Sequence, residues 1–114
     1  MKIILAGSRD ILDYNLVCET IKNSGFIITE LVSGHARGVD QLGEKWAKEN
    51  NIPIKIFMPD WSFGASAGYR RNLEMGEYAE GLIAITNGSK GTAHMINIAN
   101  KKNLKVFVKT INKI

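Results

Sequence analysis

Five short apolar runs punctuate the chain. They are residues 2–6, 27–32, 54–58, 81–86 and 104–108. Each is the length of a strand, and each consists almost entirely of apolar residues, which is typical of strands buried on both faces. The pattern therefore predicts five buried strands.

The segments between these runs have the periodicity of amphipathic helices. Residues 11–24 and 92–102 each carry apolar side chains at i, i+3, i+4 and i+7. These are Tyr14, Val17, Cys18 and Ile21 in the first helix, and Thr92, Met95, Ile96 and Ala99 in the last. Because free cysteine behaves as a small apolar residue, the stripe predicts that Cys18 is a core residue and not a nucleophile.

Two more helices are predicted between the second and fourth strands. One spans residues 66–79, and the other carries the same apolar spacing at Val39, Leu42, Gly43 and Trp46. A glycine on such a stripe lets a helix approach the sheet closely. We therefore expect close helix–sheet packing at Gly43.

Strands and helices alternate in the order βαβαβαβαβ. This alternation predicts a parallel sheet covered on both faces and joined by right-handed crossovers. The fold class is α/β: one Rossmann-like three-layer domain over residues 1–114, with a parallel five-stranded sheet and helices on both faces. Ligands of such folds bind at the carboxyl ends of the strands, near the point where the strand order reverses. The loops that follow the strands are therefore the expected functional sites.

Composition narrows the class of protein and of ligand. With 45% hydrophobic and 23% charged residues, the chain has the balance of a folded soluble domain. A single cysteine and no run of about 18 apolar residues predict a cytoplasmic protein without a membrane partner. Residues 90–114 contain six lysines and no acidic residue, which favours an anionic partner, either a phosphorylated small molecule or nucleic acid. A plain solvated surface explains the same lysines.

Three of the loops after strands share one character, and each precedes a helix. They are Gly7-Ser8-Arg9, Ser33-Gly34-His35-Ala36-Arg37-Gly38 and Asn87-Gly88-Ser89-Lys90-Gly91-Thr92. Glycine lets the backbone approach a ligand, and free N–H groups at a helix N-terminus bind anions. Hydroxyl and cationic side chains add donors and positive charge. One such loop is equally well a cap or a turn, but three at one sheet edge predict a phosphate site.

The segment after the third strand adds aromatic and cationic residues at the same edge. Trp61 can stack on a base, and Arg70 or Arg71 can bind a phosphate through the forked guanidinium. The alternatives are structural: Trp61 closes the core, and Arg71 forms a surface ion pair with Glu74 one turn further along.

The sequence contains no complete catalytic or metal-binding set. The P-loop motif and the full Gly-x-Gly-x-x-Gly fingerprint are absent, and His35, His94 and Cys18 lack metal-ligand spacing, so no metal and no cofactor is predicted. His35 is interpreted as a loop contact, with an acid–base role as the alternative. Asp40 is the best-placed carboxylate, and its alternative role is to stabilise a helix N-terminus. The candidate catalytic residues are Asp40 and Arg71.

Together these motifs resemble the SLOG branch of Rossmann-like proteins, which includes the DNA-processing protein DprA (Smf) and the Lonely Guy phosphoribohydrolases. Within that branch they are most similar to the YspA-like family of bacteria and phages. The resemblance rests on Gly7-Ser8-Arg9, residues 33–40, Trp46-Ala47, Pro59-Asp60-Trp61, residues 68–72, Met75 and residues 88–92. It implies a nucleotide or nucleotide-derived ligand, with residues 88–92 as the phosphate loop, and a homodimer or tetramer.

Two positions depart from the resembled families. The phosphoribohydrolases carry a catalytic glutamate three residues after the glycine-threonine pair, where this chain has Met95, and the second loop usually has glycine in place of His35. Complete phosphate loops without a complete catalytic set therefore make a nucleotide-ligand sensor or sequestering protein the leading hypothesis. A nucleotide-processing hydrolase and a single-stranded DNA-binding protein like DprA are the alternatives.

The candidate ligand-binding residues come from the segments that follow the first four predicted strands. They are Gly7, Ser8, Arg9, Ser33, Gly34, His35, Ala36, Arg37, Gly38, Trp61, Arg70, Asn72, Gly88, Ser89, Lys90, Gly91 and Thr92.

Overall fold

The computed structural model of the protein describes residues 1–112 and contains the five predicted strands and four predicted helices in the predicted order. The strands are β1 (Lys2–Gly7), β2 (Glu30–Ser33), β3 (Ile54–Ile56), β4 (Gly81–Thr86) and β5 (Lys105–Thr110). The helices are α1 (Tyr14–Ser24), α2 (Val39–Glu49), α3 (Ala67–Tyr78) and α4 (Lys90–Lys101), and a 3₁₀ segment, Trp61–Ser66, leads into α3. No helix among the described residues is long and apolar enough to span a membrane.

All five strands are parallel, in the spatial order β3-β2-β1-β4-β5. In the register of the central strands, Ile4 lies opposite Val32 on one side and Leu82 on the other. From β1 the chain builds outward through β2 and β3, then returns to the other side of β1 to place β4 and β5. The strand order therefore reverses between β1 and β4, where the loops after these two strands diverge.

Two apolar clusters cover the two faces of the sheet and confirm the three-layer arrangement. Side chains such as Leu5 and Ile83 pack with α1 and α2, and alternate side chains such as Ile4 and Leu82 pack with α3 and α4. The expected burial on both faces holds for the central strands. It is wrong for the edge strands β3 and β5, where Ile56 is 42% exposed.

The sequence pattern predicts the packing of α2 correctly at Gly43 but not that of α1 at Cys18. Close approach at Gly43 is confirmed, because a Cβ there would lie 2.2 Å from Cδ2 of Leu5. The prediction that Cys18 belongs to the core is wrong, since this side chain is only half-buried and Thr20 takes the buried position on α1. The face of α1 that meets the sheet is thus rotated relative to the apolar stripe.

β2 begins three residues later than its apolar run. Ile27 is 79% exposed, and its carbonyl accepts a hydrogen bond from the N-terminal amine of Met1 at 2.9 Å. The segment before Glu30 is therefore an apolar loop held by hydrogen bonds to Met1, and only the second half of the run joins the sheet.

Candidate functional site

A cleft of about 410 Å³ opens at the carboxyl edge of the sheet, at the switch point between β1 and β4. Its wall is made by the loops after β1, β2 and β4 and by one face of α3. The predicted site residues on this wall are Gly7, Arg9, Ala36, Asp40, Arg71, Asn72, Gly88, Ser89, Gly91 and Thr92. Asp10 and Asn87, which are not among the predicted ligand-binding residues, lie there too.

A second pocket of about 240 Å³ adjoins the cleft on the β2 side. Of the predicted residues it contains Gly34, His35, Arg37 and Trp61. Arg9, Ala36 and Arg71 contribute to both walls and so form the boundary between the two spaces. Trp61 is 65% exposed, so the alternative in which it closes the core is wrong.

Three predicted ligand contacts lie behind the wall instead of on it. Ser8 is 1% exposed, and its hydroxyl donates to Ser89 Oγ at 3.1 Å and accepts from the Asn87 N–H at 3.1 Å. Ser33 is fully buried. Gly38 has φ +77, and a Cβ there would lie 2.6 Å from the carbonyl oxygens of Ser8 and Arg9. These residues hold the loops together, so their position fits a structural role.

Two predicted cationic contacts, Arg70 and Lys90, are not part of the cleft wall. The guanidinium of Arg70 lies over the ring of Phe63, 4.2 Å from its centroid, and its Nε donates to Ser66 Oγ. Lys90 is exposed and lies on neither the cleft wall nor the second pocket among the described residues. The cationic groups on the cleft wall are those of Arg9 and Arg71.

The lysine-rich C-terminal quarter is divided between the two edges of the sheet, and its two lysines at the carboxyl edge, Lys90 and Lys109, lie off the cleft wall. Lys101 and Lys102 stand at the C-terminal end of α4, and Lys105 begins β5, so all three lie opposite the carboxyl ends of the strands. Lys113 lies outside the described residues. The expected positive field of this segment is therefore not focused on the cleft.

The N-terminus of α4 opens onto the cleft without a side-chain cap. Ser89 occupies the N-cap position, but its hydroxyl donates to Thr92 Oγ1 at 2.8 Å and caps no backbone N–H in the described chain. Asp13 caps α1 by accepting from the Leu16 N–H at 3.1 Å, whereas α2 and α3 have no side-chain cap either within the described residues. The first N–H groups of a helix have no intrahelical acceptor and carry partial positive charge. The first turn of α4 thus offers free donors to the cleft.

The first turn of α4 is joined to α3 through Asn72. This amide is 5% exposed, and its Nδ2 lies 3.4 Å from the Gly91 carbonyl oxygen and 3.2 Å from His94 Nδ1. A Cβ added at Gly91 would meet no atom within 4 Å. Asn72 therefore fixes the helix terminus, while Gly91 leaves open space in front of it.

Asp40 is a buried acid on the cleft wall. It is 5% exposed in the first turn of α2, and its Oδ2 accepts from the Ala36 N–H at 3.3 Å. Burial, opposed by that hydrogen bond and by the charge of Arg71, raises the pKa of Asp40 to about 6. A carboxyl group with a perturbed pKa in a cleft is a frequent property of functional sites.

Arg71 spans the boundary between the cleft and the second pocket. Its Nη1 donates to the Gly34 carbonyl at 2.8 Å, and its Nε donates to Asn72 Oδ1 at 3.2 Å. Burial lowers the pKa of Arg71, and the neighbouring Asp40 charge opposes that shift. The described ion pairs do not include one with Glu74, so the surface-pair alternative is wrong.

We expect Asp40→Asn to stabilise the protein at pH 7 by up to about 3 kcal/mol. The carboxyl ionises near pH 3.8 in its unperturbed state and near pH 6 in the fold, so the folded state binds more protons over that window. Stability contributed by the protonated form is consequently lost as pH rises from about 4 to about 6. Urea unfolding of wild type and variant at pH 4 and pH 7 measures the effect.

The difference in unfolding free energy between wild type and Asp40→Asn should be smaller at pH 4 than at pH 7. Asp60→Asn is the control: Asp60 is exposed, and hydrogen bonds from Ser62 lower its pKa, so its removal should not stabilise. An Asp40→Asn protein less stable than wild type at pH 7 would show that the ionised carboxylate stabilises the fold.

Glu44 is a buried acid that is not among the residues predicted from the sequence. It is 6% exposed, and its carboxylate accepts from Ser33 Oγ at 2.8 Å and lies 2.8 Å from His35 Nδ1. The available signal is its spacing: Glu44 follows Asp40 by four residues and precedes Ala47 by three, which puts it on the buried face of α2.

Comparison with known proteins gives two matches. The family model of the YspA, cpYpsA-related SLOG family matches residues 1–64, which include the loops after β1 and β2. The Gene 61 protein of Mycobacterium phage D29 is 29% identical over 120 residues, which cover 93% of this chain and 94% of that protein. No solved structure matches the chain.

Proposed function

This chain belongs to the YspA, cpYpsA-related SLOG family, and on that premise we propose that it binds a nucleotide or nucleotide-derived ligand in the cleft between the β1 and β4 loops. The ligand phosphate lies at the N-terminus of α4. The observation that carries the proposal is the uncapped first turn of α4, facing a cleft whose wall contains two arginines. Membership of this family suggests a nucleotide-related ligand, and the cleft supplies the matching chemistry.

The donors suit a phosphate in number and in charge. The N–H groups of the first turn of α4 point along the helix axis toward the cleft, where the helix dipole favours negative charge. Arg9 and Arg71 add guanidinium groups, which bind phosphate oxygens in a bidentate manner. Because Gly91 has no side chain, a phosphate can approach the backbone closely.

The residues of the cleft favour a protein that binds its nucleotide ligand without cleaving it. Met95 stands where the resembled phosphoribohydrolases carry glutamate; it is 1% exposed and lies at the cleft wall. A thioether neither donates nor accepts a proton in catalysis. We therefore propose a sensor or a sequestering protein.

A small molecule is a better ligand for this cleft than a nucleic acid. About 410 Å³ is within the usual range of small-ligand sites. Single-stranded DNA is usually bound along an extended cationic groove with stacking side chains, but the described lysines of the C-terminal quarter lie off the cleft wall.

Isothermal titration calorimetry of the full chain tests the proposal. The panel contains nucleoside 5′-mono- and diphosphates, cyclic nucleotides, ADP-ribose, inorganic phosphate and the nucleosides without phosphate. We expect at least one nucleotide to bind about 10-fold or more tightly than its nucleoside, because charge-assisted hydrogen bonds to the phosphate are each worth about 1.5–3 kcal/mol. No binding of any nucleotide, or equal affinity for nucleoside and nucleotide, overturns the proposal.

A further inference from the structure

A chain of three polar side chains connects the buried face of α2 with the second pocket. Ser33 Oγ donates to Glu44 Oε2 at 2.8 Å. The same carboxylate lies 2.8 Å and 3.0 Å, through its two oxygens, from His35 Nδ1. The imidazole, whose side chain is 41% exposed, borders the second pocket.

This contact determines which ring nitrogen of His35 is available. A carboxylate accepts hydrogen bonds, so the nitrogen that faces it carries the proton, and the other nitrogen of the neutral ring is an acceptor. Carboxylate–histidine pairs fix ring orientation and tautomer in this way at many functional sites. In the neutral ring, Nε2 of His35 is therefore the acceptor.

The backbone at His35 is held in an unfavourable conformation. Its φ of +59 lies in the left-handed region, which costs a residue with a side chain roughly 1–2 kcal/mol relative to glycine. The His35 N–H donates to Ser33 Oγ at 3.1 Å, so the loop is tied to the same polar chain. Local strain of this kind is concentrated at functional sites.

The surroundings of the imidazole suit the non-phosphate end of a nucleotide. Trp61, Met58 and Pro59 give the second pocket an apolar and aromatic wall, and Arg9 and Arg71 join it to the cleft. The end of β2 lies two strand spacings, about 10 Å, from the end of β4. A ligand that contacts both His35 and the first turn of α4 must therefore span about 10 Å and carry a recognisable group at each end.

We propose that the second pocket binds the nucleoside end of the ligand and that Nε2 of His35 accepts a hydrogen bond from a hydroxyl or amine group of that end. Glu44 is the positioning residue that holds His35 in this tautomer, and Ser33 orients Glu44. The proposal rests on the proposed function, because it names the second contact of the same ligand.

The first test reads the tautomer and needs no ligand. The chain contains only two histidines, His35 and His94, so proton–nitrogen correlation spectra of the imidazoles at alkaline pH can be assigned with His94→Gln. We expect the Nδ1–H tautomer of His35 to predominate. In Glu44→Gln the side-chain amide can donate to Nδ1, so the Nε2–H tautomer should increase. A predominant Nε2–H tautomer in wild type contradicts the positioning role of Glu44.

The second test uses His35→Gly, which removes the imidazole and relieves the backbone strain. The double variant His35→Gly/Glu44→Gln removes the buried carboxylate as well, and it replaces the single variant if that protein does not fold. The probes are the tightest nucleotide of the panel, its 2′-deoxy and 3′-deoxy forms, a form without the base amine, and inorganic phosphate. We expect the variant to bind the nucleotide about 10-fold more weakly than wild type and to bind inorganic phosphate with unchanged affinity. Wild type should bind one of the three modified nucleotides, the one that lacks the group donating to His35, more weakly than the parent nucleotide. The variant should not make this distinction.

The outcomes separate this inference from the proposed function. Nucleotide binding with equal affinity in wild type and His35→Gly overturns the role of His35 and leaves the phosphate site standing. Absence of nucleotide binding in wild type overturns both.

Discussion

Gly7→Ala is expected to destabilise the protein by about 3 kcal/mol or more. A Cβ at this position would lie 2.3 Å from the carbonyl oxygen of Ile85 and 2.6 Å from Cγ2 of Val39. That carbonyl accepts the hydrogen bond from the Ser8 N–H at 3.1 Å, and Gly7 is in register with Ile85 in the central strand pair. No side-chain rotation relieves a contact with strand backbone, so β1 and β4 must separate.

Urea unfolding followed by circular dichroism measures this loss, with Gly91→Ala as the matched control. A Cβ at Gly91 meets nothing within 4 Å, and alanine is the better helix former by up to about 1 kcal/mol. Gly91→Ala should therefore be as stable as wild type or more so. If Gly7→Ala were as stable as wild type, the close contact between Gly7 at the end of β1 and Ile85 of β4 would be wrong.

These two glycines show what the sequence pattern can and cannot resolve. Both belong to predicted glycine-rich loops, and the pattern correctly places both at the carboxyl edge of the sheet. It does not distinguish Gly7, which is required because two strands meet there, from Gly91, which faces open space. Only the three-dimensional structure shows that a Cβ would clash at Gly7 and would meet open space at Gly91.

The fold was predictable because its central strands are apolar on both faces. β1 and β4 are buried along nearly their whole length, and such runs stand out in any sequence. At residues 27–29 the prediction fails because an apolar residue, Ile27, is 79% exposed in a loop. Hydrophobicity alone does not tell a strand from an apolar loop that is held by distant backbone hydrogen bonds.

The sequence predicts which loops form the site, but it does not predict which side chains contact one another there. Parallel topology alone brings the loops after β1, β2 and β4 together. Glu44 could not be predicted because an isolated glutamate on a helix is usually solvated, and its partners, Ser33 and His35, lie at the end of β2 and in the loop that follows it. The pairing of Arg70 with Phe63 and of Arg71 with Gly34 is likewise decided by about 100° of helical rotation between neighbours.

That rotation makes the two arginines a matched pair for testing the ligand site. We expect Arg71→Ala to reduce nucleotide affinity about 100-fold, because a bidentate charge-assisted contact contributes about 1.5–3 kcal/mol per hydrogen bond. Arg70→Ala removes the same charge from the next residue, but its guanidinium lies over Phe63, away from the cleft. Its affinity should stay within about twofold of wild type. Titration calorimetry of both variants provides the comparison.

Loss of affinity in Arg71→Ala has a structural explanation as well, and a double variant separates the two. Without Arg71 the buried Asp40 loses the opposite charge that lowers its pKa, so the single variant should also lose stability at pH 7. Arg71→Ala/Asp40→Asn removes the unpaired carboxylate and should recover that stability, as urea unfolding would show. Affinity should stay low, because the phosphate contact is still missing. Recovery of affinity together with stability would mean that Arg71 acts only by neutralising Asp40 and that the ligand phosphate is bound by other groups.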